Sequence, residues 1–146
     1  MKKRLPVVLV VLIILTGCSG TMPKLGVNNG RLMQCPETPN CVSSQATDEQ
    51  HYIQPIQFMG TQQEAQGALL KMLETWKRTK IIVTQEEYIR AEFASMIFRF
   101  VDDVEFYLSS IKADETVIHV RSASRVGYSD FGVNRKRIEQ IRSQLK

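Results

Sequence analysis

Between Lys80 and Ser122 apolar side chains recur at every second position, and that period commits a third of the chain to sheet. Residues 81–85, 88–95, 98–108 and 116–122 read as four strands, with Asp114-Glu115 supplying the turn before the last. Ahead of them the period is helical. Thr61-Gln62-Gln63-Glu64 is a capping-box pattern, and Ala65, Ala68, Leu69, Met72, Leu73 and Trp76 follow as one apolar stripe, with Trp76 read as core. Behind the strands a second helix is expected from Val133, capped by Asp130 or Asn134. Its inner stripe is Ile138, Ile141 and Leu145, and Arg135, Glu139 and Arg142 are expected to pair along its outer face. Residues 51–58 have strand-like content, but Pro55 demotes them to an edge strand or an extended lead-in. Helix, strands, helix is an α+β plan: an antiparallel sheet of four to five strands with two helices packed on one face.

The same alternation sorts side chains onto two faces. Phe98, Phe100, Val104, Phe106 and Leu108 share one, interrupted by the single acid Asp102. Arg90, Glu92, Arg99, Asp103, Glu105, His119 and Arg121 fall on the other. This polar set has two readings. One is a solvated face laced with cross-strand ion pairs. The other is a groove in which Asp103 or Glu105 works with His119 in proton transfer, which makes these three the catalytic candidates.

The segment from Arg121 to Arg142 carries six Arg and Lys residues. Its first half is a loop of small residues leading to a helix N-terminus, a place where backbone N–H groups can hold an anion. Arg121, Arg125 and Arg135 are therefore the ligand-binding candidates. The phosphate-loop spacing G-x-x-x-x-G-K-[ST] is missing, so no nucleotide is implied. The competing reading is internal, with Arg125 or Arg135 pairing with Asp102, Asp103 or Glu105. Charge distribution favours it: residues 18–120 hold 9 cations and 13 acids, while residues 121–146 hold 7 and 2.

The N-terminus sets the compartment. Lys2, Lys3 and Arg4 precede an apolar run over residues 5–15, too short to span a bilayer but suited to a secretory signal peptide over residues 1–17. Leu15-Thr16-Gly17-Cys18 follows and resembles the lipobox of bacterial lipoproteins, so Cys18 is expected to carry the lipid. Ser19 after it resembles the outer-membrane sorting class. The expectation is a palmitate-bearing lipoprotein of the cell envelope, held by its anchor at the outer membrane and facing the periplasm. Removing the signal removes three cations and leaves +1, which gives no case for nucleic acid. Residues 18–33 show no periodicity and read as a flexible tether of about 20 Å reach, ahead of a single domain over residues 34–146. Cys35 and Cys41 flank a proline-bearing turn in an oxidising compartment, which favours a disulfide. A redox-active pair is the first alternative. A metal site is the second, with His51 the only further ligand in reach, and neither metal nor cofactor is expected.

"CPETPNCVSSQ", "FVDDVE" and "RSASRVGYSDFGVNRKR" together resemble the domain-of-unknown-function 1499 family, a likeness running from about Leu32 to Leu145. The family has no assigned activity, so the resemblance implies a domain boundary and no mechanism. Two functions stay open on the residues. The first is a non-catalytic binding or interaction domain for an envelope protein or small anionic ligand. The second is a small hydrolase or isomerase using the His, carboxylate and Arg cluster.

Overall fold

The computed structural model describes residues 20–145. The expected signal peptide and Cys18, the expected lipidation site, lie outside the described residues. In chain order the elements are β1 (Cys41–Ser43), β2 (Ile56–Met59), α1 (Gln62–Thr75), β3 (Thr79–Gln85), β4 (Tyr88–Ala94), β5 (Val101–Lys112), β6 (Glu115–Ser124) and α2 (Val133–Gln144). The strands make one antiparallel sheet in the order β1-β6-β5-β4-β3, and β2 also pairs with β6. β1 runs beside Arg121–Ala123 and β2 beside Glu115–Ile118, so the two share the outer flank of β6.

The class is α+β, with six strands rather than four to five. β1 is the strand the periodicity could not reveal, because three residues are too few to show a period. β2 begins directly after Pro55. There the missing N–H costs the ladder nothing.

Strand boundaries also differ, two of them with consequences for the faces and turns. β5 starts at Val101, and Phe98 and Phe100 stand exposed in the preceding loop. Arg99 takes a left-handed backbone (φ 57°) that breaks the alternation, so it does not belong to the polar face. The last turn is Ala113-Asp114, one residue earlier than expected.

α1 forms as its sequence dictates. Thr61 Oγ1 accepts from the Glu64 N–H at 3.2 Å, and Glu64 Oε2 accepts from the Thr61 N–H at 2.8 Å. Trp76 stands just past the helix and is half-buried, its ring edge-on to Phe93 at 5.7 Å. α2 is capped otherwise than expected. Asp130 accepts from the N–H groups of Gly132 at 3.0 Å and Asn134 at 2.7 Å, while Gly132 itself holds the cap position at φ 77°. Asn134 lies inside the helix, fully buried, and donates to the Asn40 carbonyl at 3.1 Å.

One core unites the elements. Ala65, Leu69 and Leu73 of α1 and Ile138 and Ile141 of α2 cluster with Ile89, Ala91, Val104, Phe106, Leu108, Ile118 and Val120 of the strands. Asp102, the acid that interrupts the apolar set, sits at the rim of this core. It accepts from Arg137 of α2 at 2.6 Å, and the same guanidinium lies 4.8 Å over the Phe93 ring.

Within the stretch expected to be a flexible tether, residues 26–32 make defined hydrogen bonds. Asn28 and Arg31 exchange backbone hydrogen bonds of 2.8 and 3.0 Å. Leu32 is buried, and its N–H donates to Gln45 Oε1 at 2.8 Å, while Gln45 Nε2 returns a bond to the Gly30 carbonyl at 2.9 Å. Periodicity is blind to such a segment, because side chains and its own turn satisfy its backbone instead of a ladder.

Candidate functional site

The polar face is built in cross-strand rows. Glu92 stands opposite Asp103, which stands opposite Ala123 and then Cys41. In the next row Arg90, Glu105, Arg121 and Ser43 follow one another. In the third, Tyr88, Tyr107 and His119 do so. Like charges meet at Glu92 and Asp103, which would repel across the strands. Arg125, just beyond the end of β6, resolves this by reaching back between them. Its Nε and Nη2 donate to the two oxygens of Asp103 at 2.7 and 2.8 Å, and Nη2 also donates to Glu92. Arg90 adds two more donors to Asp103, at 2.7 and 3.1 Å. Glu105 accepts from the Tyr88 hydroxyl at 2.8 Å, from Arg121 at 3.2 Å and from the Gly26 N–H at 3.2 Å.

Three guanidinium groups therefore face three carboxylates, and hardly any of this is wet. Asp103 is 1% exposed and Glu105 is fully buried. The face is neither solvated nor an open groove. The segment around Gly26 lies against it, held by the bond to Glu105. Burial would raise the Asp103 carboxyl, but the hydrogen bonds from Arg125 and Arg90 outweigh it and hold the group below the usual carboxylate range. For Glu105 burial wins, and its carboxyl is raised despite Tyr88, Arg121 and Gly26. The Tyr88 hydroxyl is pushed up by burial and by the neighbouring Glu105 charge. The Asp103 hydrogen bonds push the Arg125 guanidinium up.

Of the sequence candidates, Asp103, Glu105, Arg121 and Arg125 are brought together, bonded to one another. His119 is not among them. It faces Tyr107, with the rings stacked at 5.9 Å, while Asp103 faces Ala123, four residues along the strand or about 13 Å away. Burial holds the His119 imidazole below its usual range. Its Nδ1 lies 3.4 Å from Ser44 Oγ, a contact that no periodicity or motif signals. That hydroxyl also accepts from the Val120 N–H at 2.9 Å, and among the described residues no carboxylate orients the ring as a hydrolytic triad requires. Arg135 lies elsewhere, donating to the carbonyls of Tyr52 at 2.8 Å and Gln50 at 3.0 Å. The expected Arg135–Glu139–Arg142 ladder is reduced to the Glu139–Arg142 pair at 3.0 Å.

Cys35 and Cys41 are disulfide-bonded, with Cα atoms 5.7 Å apart. His51 is no ligand to them. It is buried, bonded to Asp48 Oδ1 at 2.7 Å and placed 3.2 Å from the Thr38 carbonyl. Among the described residues no group of three or more His, Cys, Asp or Glu is placed to hold a metal ion. An open cavity of about 720 Å³ separates the N-terminal segment from residues 43–48, lined by Lys24, Gly26, Arg31, Gln34, Ser43 and Asp48 among others. None of the six candidate catalytic and ligand-binding residues lines it.

No curated protein matches the chain. Residues 31–145 match the family described as Protein of unknown function (DUF1499). The match starts at the turn that packs on Gln45 and ends with α2, so it spans the sheet, the disulfide and the ion-paired face. The chain belongs to that DUF1499 family.

Proposed function

We propose that this is a lipid-anchored envelope protein whose domain binds or positions a partner without catalysing a reaction. The signal-like N-terminus with its L-x-G-C sequence supports the anchor at Cys18, and with it residence at the outer membrane facing the periplasm. One observation supports the non-catalytic reading: the groups best suited to acid–base chemistry are consumed internally. Asp103 accepts from two arginines, Glu105 from three donors, and His119 meets neither. A general base must reach its substrate's proton, and these carboxylates reach only guanidinium, phenol and amide. On the same reading both helices cover the apolar face, since their buried residues share its core, and the N-terminal segment takes the other.

Two measurements test the reading. Cells grown with a palmitate analogue should label the wild-type chain and leave Cys18→Ser unlabelled and released from the membrane fraction. Equal labelling of both would refute the anchor. His119→Asn, made in the one catalytic candidate outside the ion-pair network, should restore the envelope properties of a deletion strain as well as wild type does. Complete failure to do so, with the protein folded and present, would point to catalysis instead.

A further inference from the structure

The end of the sheet where β4 passes into β5 and β6 leaves for α2 exposes an unusual set of side chains. Met96, Ile97, Phe98 and Phe100 stand out from one loop, Tyr128 and Phe131 from the other, with Ile97 at 74% and Phe131 at 89% exposure. The two loops are neighbours. Ala94 pairs with Val101 and Asp102 with Ser124, and the Arg125 N–H donates to the Val101 carbonyl at 3.1 Å. Six large apolar or aromatic residues gathered at one end mark a contact surface rather than scattered exposure.

We propose that this end of the domain docks onto a lipid bilayer. The loops are built to present their side chains. Ser95 N–H donates to the Phe100 carbonyl at 2.8 Å, Ser95 Oγ accepts from the Phe100 N–H at 2.9 Å, and the Phe98 and Phe100 rings stack at 5.5 Å. Those bonds close the base of the loop and satisfy backbone groups that lipid would leave unpaired. Arg99 at the tip has no ion-pair partner among the described residues and suits an anionic headgroup, while Tyr128 presents the apolar body and polar tip favoured at a membrane interface.

The chain's course selects lipid over a protein partner. Gly20, in a left-handed conformation (φ 67°), lies so close to the second loop that an added Cβ would meet Arg125 Cβ at 2.8 Å. Cys18 is two residues away, and two residues of extended chain span at most about 7 Å. An acyl chain on Cys18 thus brings this end of the sheet to the membrane, and the proposal rests on that anchor reading. Tethering raises the local concentration of bilayer so far that even weak loop insertion is populated. Among the described residues the opposite end exposes two large apolar side chains, Met59 and Ile111, and it lies about 30 Å away along β6.

The test uses the acylated full-length mature protein with its single tryptophan removed by Trp76→Phe. Phe98→Trp, Phe131→Trp and Met59→Trp are added one at a time. Each variant is reconstituted in phosphatidylethanolamine/phosphatidylglycerol vesicles containing lipids brominated on the acyl chains, and intact mass reports acylation. Phe98→Trp and Phe131→Trp should lose most of their emission, while Met59→Trp keeps its own. Acylated protein with no quenching at residues 98 and 131, or with equal quenching at all three positions, overturns the proposal. A mass without acyl chains defeats the anchor reading separately. In that case quenching of Phe98→Trp by added vesicles still upholds lipid contact, and its absence overturns it. A lipid-free Cys18→Ser chain that self-associates, with the emission of Phe98→Trp shifting on association and indifferent to brominated lipid, assigns the surface to a second copy and overturns the proposal.

Discussion

Val104, Phe106 and Leu108 on one side of β5, and Asp103 and Glu105 on the other, are all within about one per cent of complete burial. The sheet thus has two dry faces of opposite chemistry. The apolar face gains from the area it removes from water, so the cost of a truncation there follows the area and cavity it leaves. The ionic face gains little net energy, because desolvation offsets attraction in buried ion pairs. What it supplies depends on completeness: three guanidinium groups against three carboxylates, with the bidentate Arg125 clamp offsetting the Glu92–Asp103 repulsion. It also fixes register. A one-residue slip of β5 would turn Asp103 and Glu105 into the core, at a cost the apolar side chains alone could not impose.

Breaking each face at its centre should give the largest effects. Phe106→Ala should cost about 3–5 kcal/mol through the cavity it leaves. Asp103→Asn should cost about as much, because it strands Arg90 and leaves Arg125 with Glu92 alone. Coupling tells the faces apart. Asp103→Asn combined with Arg125→Ala should cost clearly less than the two single losses added together, since the second change removes a group from which the first took a partner. Urea titrations of the three variants measure this. Additive losses would erase the distinction between the faces.

A smaller effect is expected at the edge of the ionic face, where Cys41 pairs with Ala123. Replacing both Cys35 and Cys41 by Ser should cost about 2 kcal/mol for so short a loop. Amide exchange should rise in β1 and in residues 24–34 while β4 stays protected. Uniform acceleration across the sheet would mean that the two faces open together.

Gly20→Val should act more locally still. Its Cβ meets Arg125, and a left-handed conformation costs a non-glycine residue about 1–2 kcal/mol. Residues 20–24 should therefore detach with the global melt unmoved. A large drop in melting temperature would show that the first described residues belong to the cooperative unit.

The smallest expected effect is a pH dependence. The folded His119 titrates below its ordinary value of 6.5, so it contributes stability that is present above 6.5 and lost as the pH falls through its folded pKa. Glu105 is raised in the folded protein and has the opposite sign: its contribution is present below its ordinary value of 4.5 and lost as the pH rises through its folded pKa. Melts between pH 7.5 and 5.5 should show a shallow loss on acidification that His119→Asn flattens. Persistence of the full slope in that variant would exclude His119 as its source.

Much of this was written in the alternation of β4, β5 and β6, which placed Arg90, Glu92, Asp103, Glu105 and Arg121 on one face before any coordinate. The Thr61–Glu64 cap was equally legible, because its chemistry is local. Burial of the polar face was not legible. Alternation says which side a residue takes, and nothing about what covers that side. The cover here has no period of its own and is held by single bonds such as Gly26 to Glu105. The Ser44–His119 contact was hidden for a related reason, since residues so far apart meet only through the pairing of β1 with β6. Phe98 and Phe100 misled in the opposite direction: they continue the alternation of β5 numerically, yet Arg99 turns the backbone and leaves them outside.

β6 is the last strand in the chain and the one on which three others depend, with β1, β2 and β5 all pairing to it. Bonds that close the structure join residues 79 positions apart at Gly26 and Glu105, and 94 apart at Asn40 and Asn134. Contacts this distant in sequence make for slow folding, because the loop they close must be ordered before they reward it. A chain still emerging from the ribosome can form β3 and β4, but β1 and β2 have no partner strand until β6 arrives. Long residence without native structure is what the anchor proposed above requires, since a chain exported to receive it crosses the membrane unfolded.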